Sequence, residues 1–335
     1  MGAPAARVYE LSRAWASLGH DVTVMTGFPN HPTGVIPEGY RGEWLRREVV
    51  DGINVLRLPI YAAPNRGIFK RILNYASFAT SATTLGGILL SRPDVIIATS
   101  PQFLAGVSGR IVAWQHSLRG HVPFVFEVRD LWPQSIVEVG AMKADAVAVR
   151  LLEKLERFMY HSADRVVVVS DAFVGPIVDK GVAKNKISVV TNGVDLDLFS
   201  PTDRRAARKE LGLGDGFLAS YVGTHGMAHG LDLVVDTAAL LNNEGFQFLL
   251  MGEGAEKAKL QQQSRDRNLR NVTFWDQRPR KDVARILAAS DVCLVLLKDR
   301  PLFRAVIPSK IFEIMGAGRP IITTVDGECR RIVEA

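Results

Sequence analysis

PSKIFEIMGAGRPII, residues 308–322, decides how the chain is read. Lys310, Ile311, Phe312, Ile314 and Met315 have the spacing of a short helix with one apolar side, and Gly316 and Gly318 stand where a helix stops in a left-handed turn. Arg319-Pro320 then hands over to Ile321-Ile322, a buried-strand signal. One carboxylate, Glu313, lies on this otherwise apolar turn. At the open end of a parallel sheet a carboxylate can accept two hydrogen bonds from a ribose diol, and glycines beside it let a diphosphate approach the backbone. The competing account is a solvated glutamate followed by an ordinary helix stop.

Working outward, a local pattern repeats: a helix end, a small residue or proline, Asp, then an apolar run. It occurs at 93–97, 163–169 and 290–297. Continuous apolar runs of this kind are strands covered on both faces, so alternation with helices predicts doubly wound parallel sheets. Further strands are expected at 22–26, 55–58, 122–128, 187–190, 218–222, 246–251 and 272–274. Asn192-Gly193 makes a turn and Ser200-Pro201 a break, which places a domain boundary near 195–205 and gives domains over 1–200 and 201–335. Residues 3–18 read as an amphipathic helix stopped by Gly19, so a first strand and glycine loop are expected ahead of it, and 330–335 read as an interrupted helix.

At 335 residues the chain suits two domains, and 47% hydrophobic with 23% charged residues is ordinary for a globular protein and excludes disorder. Cys293 and Cys329 lie far apart, Cys293 within an apolar run, which supports neither a disulfide framework nor a zinc site and fits a reduced cytosol. The net charge of +6 is unevenly spread: between positions 52 and 93 there is no acidic residue, while Arg57, Arg66, Lys70, Arg71 and Arg92 are present. No nucleic-acid module accompanies these cations. Ile68, Phe69, Ile72 and Leu73 lie among them at helical spacing, which suits an anionic membrane surface; a solvated face beside a core face is the alternative. Residues 72–90 carry no charge, but their serines, threonines, Asn74 and two glycines make a packed helix a better reading than a membrane span.

The 308–322 passage resembles the second half of the Glu-x7-Glu signature of family 4 retaining glycosyltransferases. Three other stretches agree: GAPAARVYELSRAWASLGHDVTVMTG at 2–27, VVTNGVDLDLFSP at 189–201 and YVGTHGMAHGLDLVVDTA at 221–238. The resemblance covers nearly the whole chain and implies the GT-B fold, an α/β architecture of two facing Rossmann-like domains with parallel sheets. It also implies that the first strand and the C-terminal helices are missing here. FEVRDLWPQS at 126–135 and the PSK before the helix are similar to the branch that builds lipid-linked O-antigen, capsule or colanic-acid-type polysaccharides, including N-acetyl-L-fucosamine transferases.

A departing nucleoside diphosphate needs cations or backbone N–H groups. Family members use an Arg and a Lys in the loop after the first strand of the second domain; here 223–230 has neither, and Gly223, Gly226, His225 and His229 are the donor-binding candidates. Lys298, Arg300, Arg304 and Lys310 surround the loop before Glu313, and Lys310 is the candidate replacement cation. The signature's first glutamate falls at Ala305, which supplies no polar group. Gly252 and Gly254 follow a strand and are expected to hold the nucleotide, with Gln277 and Arg278 near the base. In the first domain Arg129 stands where relatives carry His, so the resemblance implies charge from Arg129 and polar contacts from Asp130 or Glu127; an Arg-Asp pair pinning the loop beneath Trp132 is the alternative. Gly2 and Arg7 are candidates for donor phosphate, Arg7 otherwise a helix-surface cation.

The expectation is therefore a metal-independent, cofactor-free retaining hexosyltransferase. It would move sugar from a nucleotide-sugar donor, UDP-sugar favoured, to a polyprenyl-diphosphate-linked acceptor at the inner face of the plasma membrane. Asp195-Leu196-Asp197 lies at the interdomain turn and is not read as a metal motif. The rivals are a GT-B sugar-nucleotide epimerase and a noncatalytic nucleotide-sugar or lipid-binding remnant.

Overall fold

The computed structural model describes residues 3–30, 33–63, 68–100, 102–138, 143, 146–242 and 244–335. It separates into two compact units, one over 4–135 and 143–190, the other chiefly over 191–335.

The first unit contains α1 (Ala3–Ser17), β1 (Thr23–Gly27), β2 (Arg46–Val50), β3 (Ile53–Leu58), α2 (Ile68–Leu89), β4 (Ile96–Thr99), α3 (Phe103–Ser117), β5 (Phe124–Val128), the first two residues of α4 (Gln134–Glu138), α5 (Val147–Ser162), β6 (Arg165–Val168), α6 (Val174–Val178) and β7 (Ile187–Val189). Strands β4-β5-β6-β7 form a parallel sheet in that order, and β1-β3-β2 form a second. In the second sheet β1 runs parallel to β3, but β2 is antiparallel to it, which the reading of purely parallel sheets missed. The cause is local. Asp51 and Gly52 both have positive φ, 49° and 80°, and make the two-residue turn that pairs Val50 with Ile53.

Helix α2 contains the uncharged 72–89 segment and is a packed helix. Its hydroxyls bond back to carbonyls one turn earlier, as in Thr80 to Ala76, Ser81 to Ser77 and Thr84 to Thr80. Gly86 and Gly87 allow close approach: a Cβ there would lie 3.0 Å from Met25 Sδ and 2.3 Å from Gln115 Oε1. Among the described residues no helix is long and apolar enough to cross a membrane.

The second unit contains α7 (Arg204–Leu211), β8 (Phe217–Val222), α8 (Asp232–Leu240), β9 (Phe246–Met251), α9 (Lys257–Asp266), β10 (Val272–Trp275), α10 (Arg280–Ala289), β11 (Val292–Val295), α11 (Lys310–Gly316), β12 (Ile321–Thr323) and α12 (Glu328–Glu334). Its five-stranded sheet has the order β10-β9-β8-β11-β12 and is parallel throughout. Successive residues of β8 and β9 point to opposite faces: Ala219, Tyr221 and Leu250 join one apolar cluster, Leu218, Leu249 and Met251 another. Both faces are therefore covered, as the apolar runs required.

Two aspartates of the repeated pattern, Asp164 and Asp291, have a shared task. Asp164, one residue before β6, accepts from the Phe124 amide at 2.8 Å and donates its own amide to the Phe124 carbonyl at 2.8 Å. Asp291, before β11, does the same with Leu218, at 2.7 and 2.9 Å, and also holds Arg208 at 2.5 Å. Each aspartate thus pins the start of one strand to its neighbour and sets the register. Helix α7 begins at Asp203, whose carboxylate accepts from the Ala206 amide at 2.7 Å, and ends at left-handed Gly212.

Candidate functional site

Strand order reverses between β8 and β11: from β8 the chain moves outward to β9 and β10, then returns past β8 to β11 and β12. Such a switch point opens a crevice at the carboxyl ends of the strands, where ligands bind in sheets of this type. The segments there are 223–230 after β8, 252–254 after β9, 276–279 after β10, and the start of α11.

The first two segments are laced through their backbones. The Gly223 amide donates to the Met251 carbonyl at 2.9 Å, His225 to Glu253 at 2.9 Å, Glu256 to His225 at 2.9 Å and Gly252 to Trp275 at 3.1 Å. This closeness requires glycine. At Gly252, with φ 147°, a Cβ would stand 1.9 Å from the Gly223 oxygen, and at Gly254 it would stand 2.3 Å from the His225 oxygen. Gly223, Gly252 and Gly254 are thus brought together, as expected.

Tyr221, fully buried at the end of β8, is the hub beneath these loops. The Lys310 ammonium lies 3.8 Å from its ring centroid, and the His225 and His229 rings lie 5.9 and 6.1 Å away. The Tyr221 hydroxyl donates to the Thr224 carbonyl at 2.8 Å, which ties the loop down. Lys310 Nζ is buried and has no hydrogen-bond partner among the described residues. Burial, opposed by nearby Glu313, pushes its pKa down to about 7. A Cβ at Gly223 would lie 2.7 Å from this nitrogen, so the glycine leaves room for the ammonium against the loop.

His225 is completely buried and neither ring nitrogen has a partner among the described residues, which removes the account of loop histidines in solvent. Burial, then Lys257 and Lys310, push its pKa down to about 4. His229 is pushed down to about 4 by burial and Lys310, and its Nδ1 lies 3.3 Å from the Gly226 carbonyl. Both rings are neutral at pH 7.

Glu313 is half-buried and bonded to Arg280 Nη2 at 3.1 Å. Arg280 also stacks over Phe199, 5.2 Å from its centroid. Gly318, at φ 64°, provides the left-handed stop after α11. Gly316 does not: it is helical and packs where a Cβ would come within 2.8 Å of the Phe199 oxygen. Of the cations around the loop before Glu313, Lys310 is buried, whereas Arg304 is exposed and pairs with Asp299 at 3.3 Å. Arg278 and Gln277 are exposed after β10, the Arg278 guanidinium 4.1 Å above the Trp275 ring. Asp195-Leu196-Asp197 is a local turn in which the Asp195 carboxylate accepts from the Asp197 amide at 3.1 Å. A concavity of about 650 Å³ lies by the amino end of β10, lined by Gln261, Arg265 and Arg270 among others, and holds none of the candidate residues.

In the first unit, Arg7 is neither exposed nor on the helix surface. Its Nε donates to Glu127 at 2.8 Å and its Nη2 to the Val190 carbonyl at 3.0 Å. The Arg129 amide donates to Ser100 Oγ at 2.8 Å, and burial lowers the Arg129 pKa. Asp130 is pushed up to about 6 by burial, opposed by Arg129. Trp132 stacks on Phe103 with centroids 4.9 Å apart. Gly2 lies outside the described residues.

The sequence reading missed Tyr221, Lys257 and Arg280. Lys257 stands four residues after Glu253, a helix-pair spacing that could have drawn attention to it. Nothing local connects Arg280 with Glu313, 33 positions later.

Comparison with known proteins agrees with this geometry. Residues 2–193 match the glycosyl transferase 4-like domain and residues 217–335 match glycosyl transferases group 1. A sucrose-phosphate synthase of Thermosynechococcus elongatus superposes with a TM-score of 0.71 at 22% identity, covering 97% of this chain and 76% of that one. Anabaena HepE in complex with UDP-glucose superposes with a TM-score of 0.64 at 17% identity, covering 94% and 84%. Escherichia coli K12 WcaI, provisionally described as a colanic acid biosynthesis glycosyl transferase, is 28% identical over 319 residues, 93% of this chain and 77% of WcaI. The matched domains make the chain a glycosyltransferase, and the fold is GT-B. The chain belongs to the glycosyl transferase 4-like family.

Proposed function

We propose that the enzyme transfers a sugar from a UDP-sugar to a lipid-linked oligosaccharide in bacterial surface polysaccharide assembly, with retention at the anomeric carbon and without a metal. The observation that carries the reading is the buried ammonium of Lys310 at the switch point, without a hydrogen-bond acceptor among the described residues, beside the Arg280–Glu313 pair. A cation held there without a hydrogen-bonding counterpart suits the diphosphate of a donor, with the N–H groups of 223–230 as further ligands. Glu313 would accept from the ribose hydroxyls. In the transfer, the bond between the anomeric carbon and the phosphate oxygen breaks and its electrons pass to the diphosphate, stabilised by Lys310. The acceptor hydroxyl attacks from the same face and its proton goes to the departing phosphate oxygen.

The similarity to WcaI and the UDP-glucose held by HepE favour the donor and pathway class. At the start of α2, exposed Phe69, Ile72 and Leu73 stand among exposed Lys70 and Arg71, a surface that suits anionic lipid. Cosedimentation with vesicles containing phosphatidylglycerol, but not with purely zwitterionic vesicles, is the expected result for that surface.

Titration of UDP and GDP, followed by tryptophan fluorescence with Trp275 as the reporter nearest the site, tests the donor assignment. UDP preference, lost in Glu313→Ala and Lys310→Met, is expected. GDP preference would move the donor to GDP-sugars, and binding of neither nucleotide would sink the assignment.

A further inference from the structure

Lys257 opens α9 with a side chain nine-tenths buried, yet its ammonium is fully engaged. It donates to Glu253 Oε1 at 2.7 Å, to Asp276 Oδ1 at 2.6 Å and, at 3.4 Å, to the Trp275 carbonyl. These three acceptors belong to the exits of two neighbouring strands, β9 and β10. The exits of β8 and β9 are joined by backbone hydrogen bonds, and β10 is linked to them by the Gly252 amide and by Lys257. Burial works against the Lys257 charge, but its bonds to Asp276 and Glu253 prevail and raise its pKa, so it stays an ammonium throughout the neutral range.

Charge divides the row of strand exits. Around β8 and α11 lies the Lys310 ammonium, with no hydrogen-bond acceptor among the described residues. At β9 and β10 Lys257 is taken up by two carboxylates and Arg278 also acts on Asp276, so these charges cancel and this end offers phosphate no net positive charge, while its carboxylates suit neutral hydrogen-bond donors such as ribose hydroxyls and base imide groups.

We propose that Lys257 is a positioning residue for the nucleoside half of the donor: it holds 252–254 against 276–278 in the spacing that receives base and ribose, and leaves the diphosphate to Lys310. The inference rests on the donor-site reading above. Holding the loops in advance spares the nucleotide the cost of ordering them, so the benefit appears only for ligands that carry a nucleoside.

The test uses the full chain, with the preferred nucleoside diphosphate, UDP or GDP, and inorganic diphosphate as separate probes in calorimetric titration. Lys257→Met is expected to weaken the nucleotide about tenfold while inorganic diphosphate stays within about twofold, and Lys257→Arg is expected to recover most of the loss. Asp276→Ala, at an exposed side chain, removes one link without endangering the fold and is expected to weaken the nucleotide about threefold. Equal weakening of both probes in Lys257→Met would overturn the proposal, as would unchanged nucleotide affinity. If Lys257→Met does not fold, Asp276→Ala decides alone, and unchanged nucleotide affinity there is the overturning result. Failure of the unsubstituted chain to bind either nucleotide would instead defeat the donor-site reading and this inference with it.

Discussion

Two buried cations, Arg7 in the first unit and Lys310 in the second, are held in opposite ways. In the first, Arg7 and Glu127 are each about 7% exposed at their side chains, and Arg7 is held by both that carboxylate and a carbonyl. In the second, Lys310 is buried against an aromatic ring with no hydrogen-bond acceptor among the described residues, and His225 has no partner at either ring nitrogen. A satisfied buried charge holds the fold and is costly only when half of it is removed. An unsatisfied one costs stability at rest and becomes favourable when an anionic ligand arrives.

The largest expected effect tests the satisfied pair. Arg7→Met leaves Glu127 buried without its ion partner and should lower stability by about 3–5 kcal/mol in urea unfolding. Loss of nucleotide affinity at unchanged stability would break the comparison and return Arg7 to the donor. Gly252→Ala should cost on the order of 2–4 kcal/mol, because its Cβ would collide with the Gly223 carbonyl at a positive φ. Unaltered thermal unfolding would show that the loops are not packed so closely.

Lys310→Met should weaken UDP about a hundredfold while stabilising the free protein by about 1–3 kcal/mol near pH 7. The sign follows from a folded-state pKa pushed down to about 7 against an unfolded value near the ordinary 10.5. Folding must partly expel a proton, so the penalty is full below pH 7 and is relieved as pH rises toward 10. Unfolding at pH 7 and pH 9 should therefore show wild-type stability rising relative to the Met variant. The smallest effect is on binding: since the diphosphate requires the ammonium form, UDP affinity should fall about tenfold between pH 6 and 8. The two histidines, pushed down to about 4, are neutral across that window and add no slope. A flat profile would remove Lys310 from the phosphate site.

Legibility differed with the range of the interaction. The strands after Asp164 and Asp291 were readable because apolar runs and helix stops are local, although the reason for the aspartates, a bond to an amide at the start of the neighbouring strand, is not. The turn at Asp51-Gly52 was a local signal of a hairpin that went unused, and β2 was lost with it. Gly252 and Gly254 were legible as a strand-end turn, while Gly316 was misassigned because its constraint comes from Phe199, over a hundred positions away.

By itself, then, the sequence determined the alternation of helix and strand, the parallel doubly wound plan and the short helix that carries Lys310 and Glu313. These rest on periodicity and turn chemistry within a few residues. Only the tertiary structure decided which charges are spent. Arg7 is used by Glu127 and Lys257 by two carboxylates, whereas the Lys310 ammonium is buried with no hydrogen-bond acceptor among the described residues. Whether a charged side chain finds a partner depends on strand order and on what packs across it, and neither is encoded in its neighbours along the chain.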